Sequence, residues 1–386
     1  MNIILFDPQE VRDNLLPLTY TRPVADLRLG ILTLAEKWQR LLPGDYSYST
    51  PGYLSEKFPC KADAADAATL SIAGNVVADA TLVEAVASLQ PGEALADREG
   101  RVIACRGEEV RRVTYEGDYM SINNVTDIFR LNGEALRADF AALTAGRESA
   151  AIDPTVTVIG DCEQLFIEPG ATVRGCTVNV INGPVYVGQC AEVMECAALR
   201  GPIAVCEHSV VNMGARIYPD TTIGPWSKVG GELNNVVIHS YSNKAHDGFL
   251  GNAVIGAWCN LGAGCTASNL KNDYTEIKLW NYPSHRFLRT GLQFCGLIMG
   301  DHSKAGINTM FNTATVVGVG VNIHGAGFPR NFVASFSDGG NAGFTDVSMS
   351  KFFDTAQRMM ARRSVELTDA DRAMFMAIRE AAESYK

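Results

Sequence analysis

Nine aliphatic residues recur at an unbroken interval of six in the middle of this chain. They are Ile181, Val187, Val193, Leu199, Val205, Val211, Ile217, Ile223 and Val229. A helix repeats its buried positions every three or four residues and a strand every two, so neither explains the interval. A period of six is the hexapeptide signature of a parallel β-helix, in which each unit is one short strand and a tight turn. We therefore predict that these side chains point into the interior of a β-helix.

Two further runs continue this period in shifted frames. The first consists of Phe249, Ile255, Leu261 and Ala267, and the second of Met299, Ala305, Phe311, Val317 and Ile323. Each frame shift marks a loop that leaves the coil, the longest being about residues 271–295. The sequence thus predicts a β-helix domain over 155–335. The handedness usual for this repeat is left-handed, an exception to the right-handed crossover rule.

The region before the coil has a different composition. Residues 1–145 mix strand-like apolar runs with alanine-rich stretches such as 62–68, which we interpret as helical. The segment 127–143 has the apolar spacing of an amphipathic helix. It leads into a linker at 144–154. The sequence therefore predicts a multidomain protein with an α/β domain ahead of the coil.

The C-terminal segment, 346–386, is predicted to be helical. Thr368 precedes Asp371 by three residues, the spacing of a capping arrangement that opens a helix. The apolar stripe of that helix consists of Met374, Ile378 and Ala381. We expect this stripe to pack against the coil or against a neighbouring subunit.

Charge and composition argue against several classes of function. The net charge is −10 and the pI about 5.2, so the basic footprint of a nucleic-acid or anionic-membrane binder is missing. The sequence shows neither a transmembrane run nor the features of a signal peptide. The ten cysteines form no C-x-x-C pair, which argues against zinc-ribbon and thioredoxin sites. We expect reduced thiols and a cytoplasmic location.

The six-residue frame is interrupted over 230–248, and function is expected to lie in the interruption. Glu232 is followed fourteen residues later by His246, and five residues further by Gly251. The segment 255–264 then reads I-G-A-W-C-N-L-G-A-G. This order and spacing resemble the acetyltransferase half of the bifunctional UDP-N-acetylglucosamine pyrophosphorylase / glucosamine-1-phosphate N-acetyltransferase family. Within that family the archaeal sugar-1-phosphate nucleotidyltransferase/acetyltransferase type is the most similar.

The resemblance implies transfer of an acetyl group from acetyl-CoA to the amine of an amino-sugar phosphate. It also implies a homotrimer whose active site lies between the β-helices of adjacent subunits. His246 would be the general base, because the amine must lose a proton and a histidine accepts protons near neutral pH. The alternative is that His246 is a satisfied polar residue in a loop. The other implied positions are Asn260 and Asn269 for the sugar, and Ala263, Asn308 and Ala326 for acetyl-CoA. Asparagine also tolerates positive φ, so a structural role for Asn260 and Asn269 stays open.

Several positions depart from the family pattern. The family binds the substrate phosphate with an Arg before a Pro-Gly turn and a Lys two residues after the Glu, where this chain has Tyr218 and Asn234. Phe249, which we keep as a substrate contact, and Leu270 replace tyrosines. The sugar is therefore not fixed by the sequence. The missing charge could come from any of Arg216, Lys244, Lys271, Arg286 and Arg289, of which Lys244 and Lys271 are the candidates we carry forward.

The segment 16–23, L-P-L-T-Y-T-R-P, resembles the opening of sugar nucleotidyltransferases. In that family a preceding glycine-rich loop cradles the nucleotide phosphates, but residues 7–14 contain no glycine. We therefore expect a divergent, shortened nucleotidyltransferase-like domain. If active, it would need Mg²⁺ and would bind the nucleotide through Arg12 and Arg22, with Arg28 as a third candidate. The alternative, which we favour, is that these arginines are solvated or stabilise the fold.

Four functions thus remain open. The leading one is the acetyl-CoA-dependent N-acetyltransferase, and the second is a sugar-1-phosphate nucleotidyltransferase, alone or in a bifunctional enzyme. The third is a hexapeptide metalloenzyme, which needs three histidines at a subunit boundary. The nearest pair, His239 and His246, suggests no ligand cluster, and we predict no metal site. The fourth is a catalytically inactive scaffold.

Overall fold

The computed structural model describes residues 1–386. Its internal contacts divide the chain into two units. The first unit comprises Met1–Leu27, Leu32–Asn124 and Thr368–Ala377, and the second comprises Arg28–Ile31, Val125–Leu367 and Ile378–Lys386. By contacts, the main division therefore falls just before Val125. The domain boundaries at 145, 155, 335 and 346 remain predictions.

The chain forms six α-helices. They are α1 (Gln9–Asn14), α2 (Leu34–Leu41), α3 (Ala80–Ala87), α4 (Val125–Thr144), α5 (Met349–Ala361) and α6 (Asp369–Ala382). The helix predicted over 127–143 is confirmed as α4, whereas the helical interpretation of 62–68 is wrong. There, the side chains of Asp63 and Asp66 accept hydrogen bonds from backbone N–H groups two residues on, which favours turns over a helix.

A six-stranded mixed sheet forms the centre of the first unit. Its strands, in spatial order, are Asp45–Ser49, Asn2–Phe6, Thr69–Ala73, Val102–Arg106, Glu93–Ala96 and Arg111–Thr114. Two short strands, Arg28–Leu29 and Leu32–Thr33, lie outside it. The sheet buries Ile3 and Leu5 beside Trp38 of α2, whose indole N–H donates to the Val76 carbonyl at 2.9 Å. The predicted α/β class is confirmed.

The second unit is a parallel β-solenoid, as the period of six predicts, with strands stacked in three faces. The first face contains Thr157–Ile159, Thr177–Asn179, Ala198–Arg200 and Arg216–Ile217. The second contains Leu165–Ile167, Val185–Val187, Ile203–Val205, Thr221–Ile223, Ile298–Met299, Val316–Val317 and Phe332–Val333. Two long strands, Glu232–Ser240 and Phe249–Ala257, turn from the first face into the second. The handedness of the coil stays a prediction.

The third face contains Thr172–Val173, Glu192–Val193, Val210–Val211, Lys228–Val229, Asn243–Lys244, Asn260–Leu261, Lys304–Ala305, Asn322–Ile323 and Ser337–Gly340. Gly343–Asp346 adds one antiparallel strand to it. Thr266–Ala267 pairs with Met310–Phe311. Within the loop predicted at 271–295, Lys278–Asn281 and Arg286–Arg289 form an antiparallel hairpin.

The hexapeptide frame predicts the buried positions with two exceptions. Ile181 is 67% exposed, because the chain turns there and its N–H donates to the side chain of Asn179, while Val180 is buried instead. Phe249 faces outward, because the next residue, Leu250, takes the interior position at 1% exposure. The other members of the three frames are buried as predicted.

The C-terminal segment is helical, as predicted. Thr368 and Asp371 cap α6 reciprocally, each side chain accepting from the other's backbone N–H. Met374 and Ile378 are buried, but Ala381 is exposed and Ala382 is buried in its place. No helix is both long and apolar enough to cross a membrane. The cytoplasmic location stays a prediction.

Candidate active site

The interruption of the repeat is a short turn, 245–248, at the corner between the third and the first face. Its backbone is enclosed by glycines of the neighbouring coils. The N–H of Gly264 donates to the Asp247 carbonyl at 3.0 Å. On the other side, a Cβ at Gly231 would lie 2.8 Å from the carbonyl oxygen of His246. A Cβ at Gly230 would likewise lie 2.3 Å from the carbonyl oxygen of Ala245, so the turn fits here because Gly230 and Gly231 lack side chains.

His246 lies at the tip of this turn. Its imidazole is exposed and makes no hydrogen bond with any group of the chain. The catalytic role of His246 and the alternative of a polar loop residue both remain predictions, because an exposed ring can be satisfied by solvent. An exposed, unengaged imidazole can accept a proton from a bound ligand once that ligand is within hydrogen-bond reach.

Lys244, predicted to contact substrate, is turned into the interior of the coil instead. It is 2% exposed, and its Nζ donates to the carbonyl oxygens of Gly230, at 3.2 Å, and of His246. Burial lowers the pKa of Lys244 to about 8. The buried ammonium of Lys244 is therefore out of reach of a substrate. It fixes the backbone of the His246 turn instead.

The residues predicted to hold acetyl-CoA follow His246 along the same corner. The N–H of Asn308 donates to the carbonyl of Ala263 at 2.7 Å, which stacks the two in consecutive coils. Ala326 is exposed between Gly325 and Gly327 of the next coil. We call this line of His246, Ala263, Asn308 and Ala326 the corner ridge. Since coils repeat every ~4.8 Å, the corner ridge extends over roughly 15 Å.

The corner ridge fits an extended, narrow ligand. Ala263 is exposed, and its backbone N–H donates to no group of the chain. A Cβ at Gly264 would lie 2.1 Å from Oδ1 of Asn308, so only glycine lets that amide lie against the turn. A free N–H beside small residues is suited to a carbonyl-bearing chain such as the pantetheine arm of acetyl-CoA.

The first face adds a polar column beside the turn. Arg216, Glu232 and Phe249 are in register on three adjacent strands. Nε of Arg216 lies 3.3 Å from a carboxylate oxygen of Glu232, and both side chains are partly exposed. Because Arg216 is already paired, its charge is shared with Glu232 rather than free for a phosphate.

Phe249 and Asn269 meet across a glycine. A Cβ at Gly251 would lie 2.5 Å from the Phe249 ring and 2.7 Å from the Asn269 amide nitrogen. That nitrogen donates to the side chain of Asn252 at 2.7 Å. Two predicted substrate contacts thus lie together on the first face, and Asn234 is in register with Gly251 beside them.

Lys271 anchors the hairpin loop. Its Nζ donates to the carbonyl of Glu276 at 3.0 Å and is 3.4 Å from the hydroxyl of Thr275. Arg289 pairs with the Glu276 carboxylate at 3.2 Å, while Arg286 is exposed. The ammonium group of Lys271 therefore holds the loop.

Asn260 lies on the third face, in register with Asn243 and Lys228. All three line a cavity of about 230 Å³, together with Arg362 and Arg363 beyond the end of α5. Lys228, Arg362 and Arg363 are not among the predicted site residues. No spacing signals them, because the two arginines lie more than 130 positions from Lys228 in the chain.

Within the first unit, Arg12 contacts three neighbouring groups of the fold. Arg12 is 4% exposed and donates to the Thr19 carbonyl at 2.7 Å and to the Tyr53 hydroxyl at 2.6 Å. Its Nε lies 3.4 Å from the carboxylate of Asp7. Burial raises the pKa of Asp7, against hydrogen bonds and the charge of Arg12, which lower it. The alternative of a fold-stabilising Arg12 is therefore supported, and Arg22 is buried too.

Arg28 and His239 have structural partners. Arg28 donates to the carbonyls of His239, at 3.2 Å, and of Ile31. The ring of His239 is 2.9 Å from the Ser240 hydroxyl. No group of three or more His, Cys, Asp and Glu side chains is arranged to hold a metal ion.

Comparison with known proteins finds one matching family model and several similar bifunctional proteins. Residues 3–148 match the family model described as sugar nucleotidyl transferase. Over 237 residues the chain is 25% identical to the bifunctional protein GlmU of Micrococcus luteus, covering 58% of this chain and 42% of that protein. Over 200 residues it is 29% identical to the GlmU of Corynebacterium glutamicum, covering 48% and 36%.

An archaeal relative matches as well. The bifunctional sugar-1-phosphate nucleotidylyltransferase/acetyltransferase of Sulfurisphaera tokodaii is 26% identical over 146 residues, which are 37% of this chain and 36% of that protein. The chain thus spans less than half the length of these relatives. A solved UDP-N-acetylglucosamine acyltransferase of Francisella novicida aligns over 61% of this chain and 79% of its own, at 14% identity and a TM-score of 0.23, too slight a likeness to support an inference. The resemblance to the bifunctional family is confirmed.

Proposed function

We propose that this protein is an acetyl-CoA-dependent N-acetyltransferase that acts on an amino-sugar phosphate, with His246 as its general base. The observation that carries the proposal is the corner ridge. It combines an exposed imidazole without an internal partner and, one coil further, the free backbone N–H of Ala263. The similarity to bifunctional GlmU proteins supports the same reaction class.

In this mechanism each residue of the ridge has one task. Bound acetyl-CoA supplies the acetyl group as a thioester. His246 accepts a proton from the acceptor amine as its nitrogen forms the new bond to the carbonyl carbon, and returns that proton to the departing sulfur. The N–H of Ala263 donates to the carbonyl oxygen, where negative charge develops. Asn308 and Ala326 line the path of the coenzyme, and Asn260, Asn269 and Phe249 contact the sugar.

A homotrimer is part of the proposal. Two large apolar side chains are exposed at the corner of the ridge, Met213 at 69% and Ile307 at 72%. They lie four coils apart and form no contiguous patch, so the trimer rests on the resemblance to the acetyltransferase family. Light scattering after size exclusion tests this: a mass three times that of the chain supports the trimer, and a monomer at micromolar concentration contradicts it.

The test of the acetyltransferase is release of free thiol from acetyl-CoA with glucosamine-1-phosphate as acceptor. We expect turnover by the wild type and a loss of about 10²- to 10⁴-fold in His246→Ala. The matched control is His208→Ala, since His208 stacks on Trp226 away from the corner ridge. Equal turnover in wild type and His246→Ala would overturn the role of His246. Absence of wild-type turnover leads to other amino-sugar acceptors, because Tyr218 and Asn234 replace the family's phosphate ligands.

A second candidate function rests on the family match of residues 3–148. It is sugar-1-phosphate nucleotidyl transfer by the first unit, alone or beside acetyl transfer. The test is pyrophosphate release from UTP, ATP or dTTP with a sugar-1-phosphate and Mg²⁺. Against it, Arg12 is engaged by Thr19, Tyr53 and Asp7. We therefore expect no release above background, and robust turnover would make the enzyme bifunctional.

A further inference from the structure

A cavity of about 230 Å³ lies between the third face of the coil and the residues that follow α5. We call it the third-face cavity. One wall consists of Lys228, Asn243 and Asn260, aligned on consecutive strands, so that Lys228 and Asn260 are ~10 Å apart along the face. Arg362 and Arg363 form the opposite wall. Its volume is below the ~300–1,000 Å³ of pockets for whole drug-sized ligands, so it suits a small group of a larger molecule.

The third-face cavity is lined by three cations and by no carboxylate. None of Lys228, Arg362 and Arg363 forms an ion pair or a side-chain hydrogen bond within the chain. This is unexpected in a protein with 43 acidic and 33 basic residues. Like charges held together repel one another, and an anion between them removes the repulsion. The cluster therefore lacks a counter-ion that a ligand could provide.

Helix capping does not account for the two arginines. The carbonyls of Met359 and Met360, in the last turn of α5, already accept hydrogen bonds from the backbone N–H groups of Arg362 and Arg363. The guanidinium groups themselves are not used for this. They remain available as planar double donors, the geometry that suits a phosphate.

Two further observations point to a polar ligand. Oδ1 of Asn243 is buried and has no hydrogen-bond partner, and its amide nitrogen makes no internal bond either. Tyr241 and Trp258, stacked at a centroid distance of 4.2 Å, add an apolar wall. An apolar wall excludes water, so an ionic contact beside it is stronger than in bulk solvent.

We infer that the third-face cavity binds the phosphate group of a ligand through Lys228, Arg362 and Arg363, with Asn243 and Asn260 as amide donors. A phosphate monoester carries about −1.5 to −2 charges at pH 7, enough to balance the cluster in large part. Its link to acetyl transfer rests on the proposed function: Ala245, which lines the cavity, is adjacent to His246 in the turn. The phosphate could belong to the acceptor sugar or to the coenzyme.

Calorimetric titration of the full chain with inorganic phosphate tests the site without any turnover. We compare the wild type with the double variant Arg362→Ala/Arg363→Ala and with Lys228→Gln. The control is Arg358→Ala, since Arg358 belongs to α5 but bonds to the Asp354 carbonyl on its own helix. We expect at least 10-fold weaker binding in the double variant, several-fold weaker binding in Lys228→Gln, and no change in Arg358→Ala. Melting curves verify that each variant is folded.

Equal phosphate affinity in the wild type and both cavity variants would overturn the inference, as would no binding by the wild type up to millimolar phosphate. If the double variant unfolds, Lys228→Gln alone decides. Titrations with glucosamine-1-phosphate and with 3′,5′-adenosine diphosphate then separate the two sources. If the cavity variants lose only glucosamine-1-phosphate binding, the cavity holds the phosphate of the acceptor. If they lose only 3′,5′-adenosine diphosphate binding, it holds a phosphate of the coenzyme. Thiol release tests the proposed function independently.

Discussion

Two regions are candidates for ligand binding: the corner ridge of the coil, and the segment 7–14 after the first strand of the N-terminal sheet. Their polar groups are arranged in opposite ways. On the corner ridge, the His246 imidazole and the Ala263 N–H are exposed and have no internal partner. After the strand, the side chains of Asp7 and of Arg12 in α1 are buried and paired with each other, and the Thr50 hydroxyl donates to Asp7.

The difference teaches that a polar group already used by the fold is not available to a ligand. Removing Arg12 would expose no site; it would leave the Asp7 carboxylate buried without its cation. Removing the His246 side chain would disturb no internal contact and would affect only the proposed reaction at the surface. The two residues are therefore expected to respond to substitution in different observables, stability for the first and turnover for the second.

The largest effect on stability is expected for Arg12→Met. Truncating one partner of a buried ion pair costs about 3–5 kcal/mol, because the remaining charge is uncompensated. Denaturant unfolding of the full chain, followed by a probe in the first unit, measures this. A loss under 1 kcal/mol would break the comparison, since Arg12 would then be as dispensable to the fold as a ligand-binding arginine.

Two controls sharpen this prediction. Arg98→Ala removes an exposed pair with Glu116 in the same unit and should change stability by less than about 1 kcal/mol. The pH dependence of Arg12→Met is the second. Without Arg12, the already raised pKa of Asp7 rises further above its unfolded value, so the variant loses stability as pH rises through that folded pKa. The destabilisation should therefore be smaller at pH 4 than at pH 7.

The sequence predicts the coil well because a period of six has few physical solutions. The predicted burial is wrong where the neighbouring residue takes the interior position. Ile181 is exposed because Val180 fills the interior position, and Phe249 faces outward because Leu250 does. Lys244 occupies the interior position in register with Val229, and a lysine there is naturally taken for a surface residue.

The site divides in the same way. His246 and Ala263 belong to one motif over 232–264, Asn308 belongs to a later stretch of the same resemblance, and the structure aligns them at one corner. Arg362 and Arg363 belong to the third-face cavity only through tertiary packing, which leaves no local pattern in the sequence. Local motifs could therefore be predicted, while contacts between distant segments could not.

Gly248→Ala is expected to lower stability less than Arg12→Met does, and to lower turnover as well. Gly248 has φ +124°, and a Cβ there would lie 1.9 Å from the carbonyl oxygen of Cys265. We expect a loss of about 2–3 kcal/mol and a fall in turnover approaching 10²-fold, because the His246 turn must shift. The control Gly291→Ala has φ +73° but open space around it, so only backbone strain of about 1 kcal/mol applies. Equal losses in the two variants would mean that the fit around the turn does not matter.

The smallest effect on turnover is expected for Lys244→Met, and its effect on stability is a change in pH dependence rather than a loss at one pH. The pKa of Lys244 is lowered to about 8 in the fold, against about 10.4 when unfolded. Between these values the unfolded chain binds more protons, so wild-type stability rises with pH over that window. Methionine does not titrate, so the stability of Lys244→Met relative to the wild type should decline from pH 8 to pH 10.

Urea unfolding at pH 7, 9 and 10 measures this slope, with the exposed Lys278→Met as the matched control. Parallel pH profiles for the wild type and Lys244→Met would show that the ammonium is solvated, in which case Lys244 returns as a substrate contact. If the wild type instead gains stability relative to Lys244→Met from pH 8 to pH 10, Lys244 acts from inside the coil, by holding the carbonyl of His246. Turnover should then fall modestly through misplacement of the turn, without the selective rise in KM for the acceptor that loss of a phosphate ligand would cause.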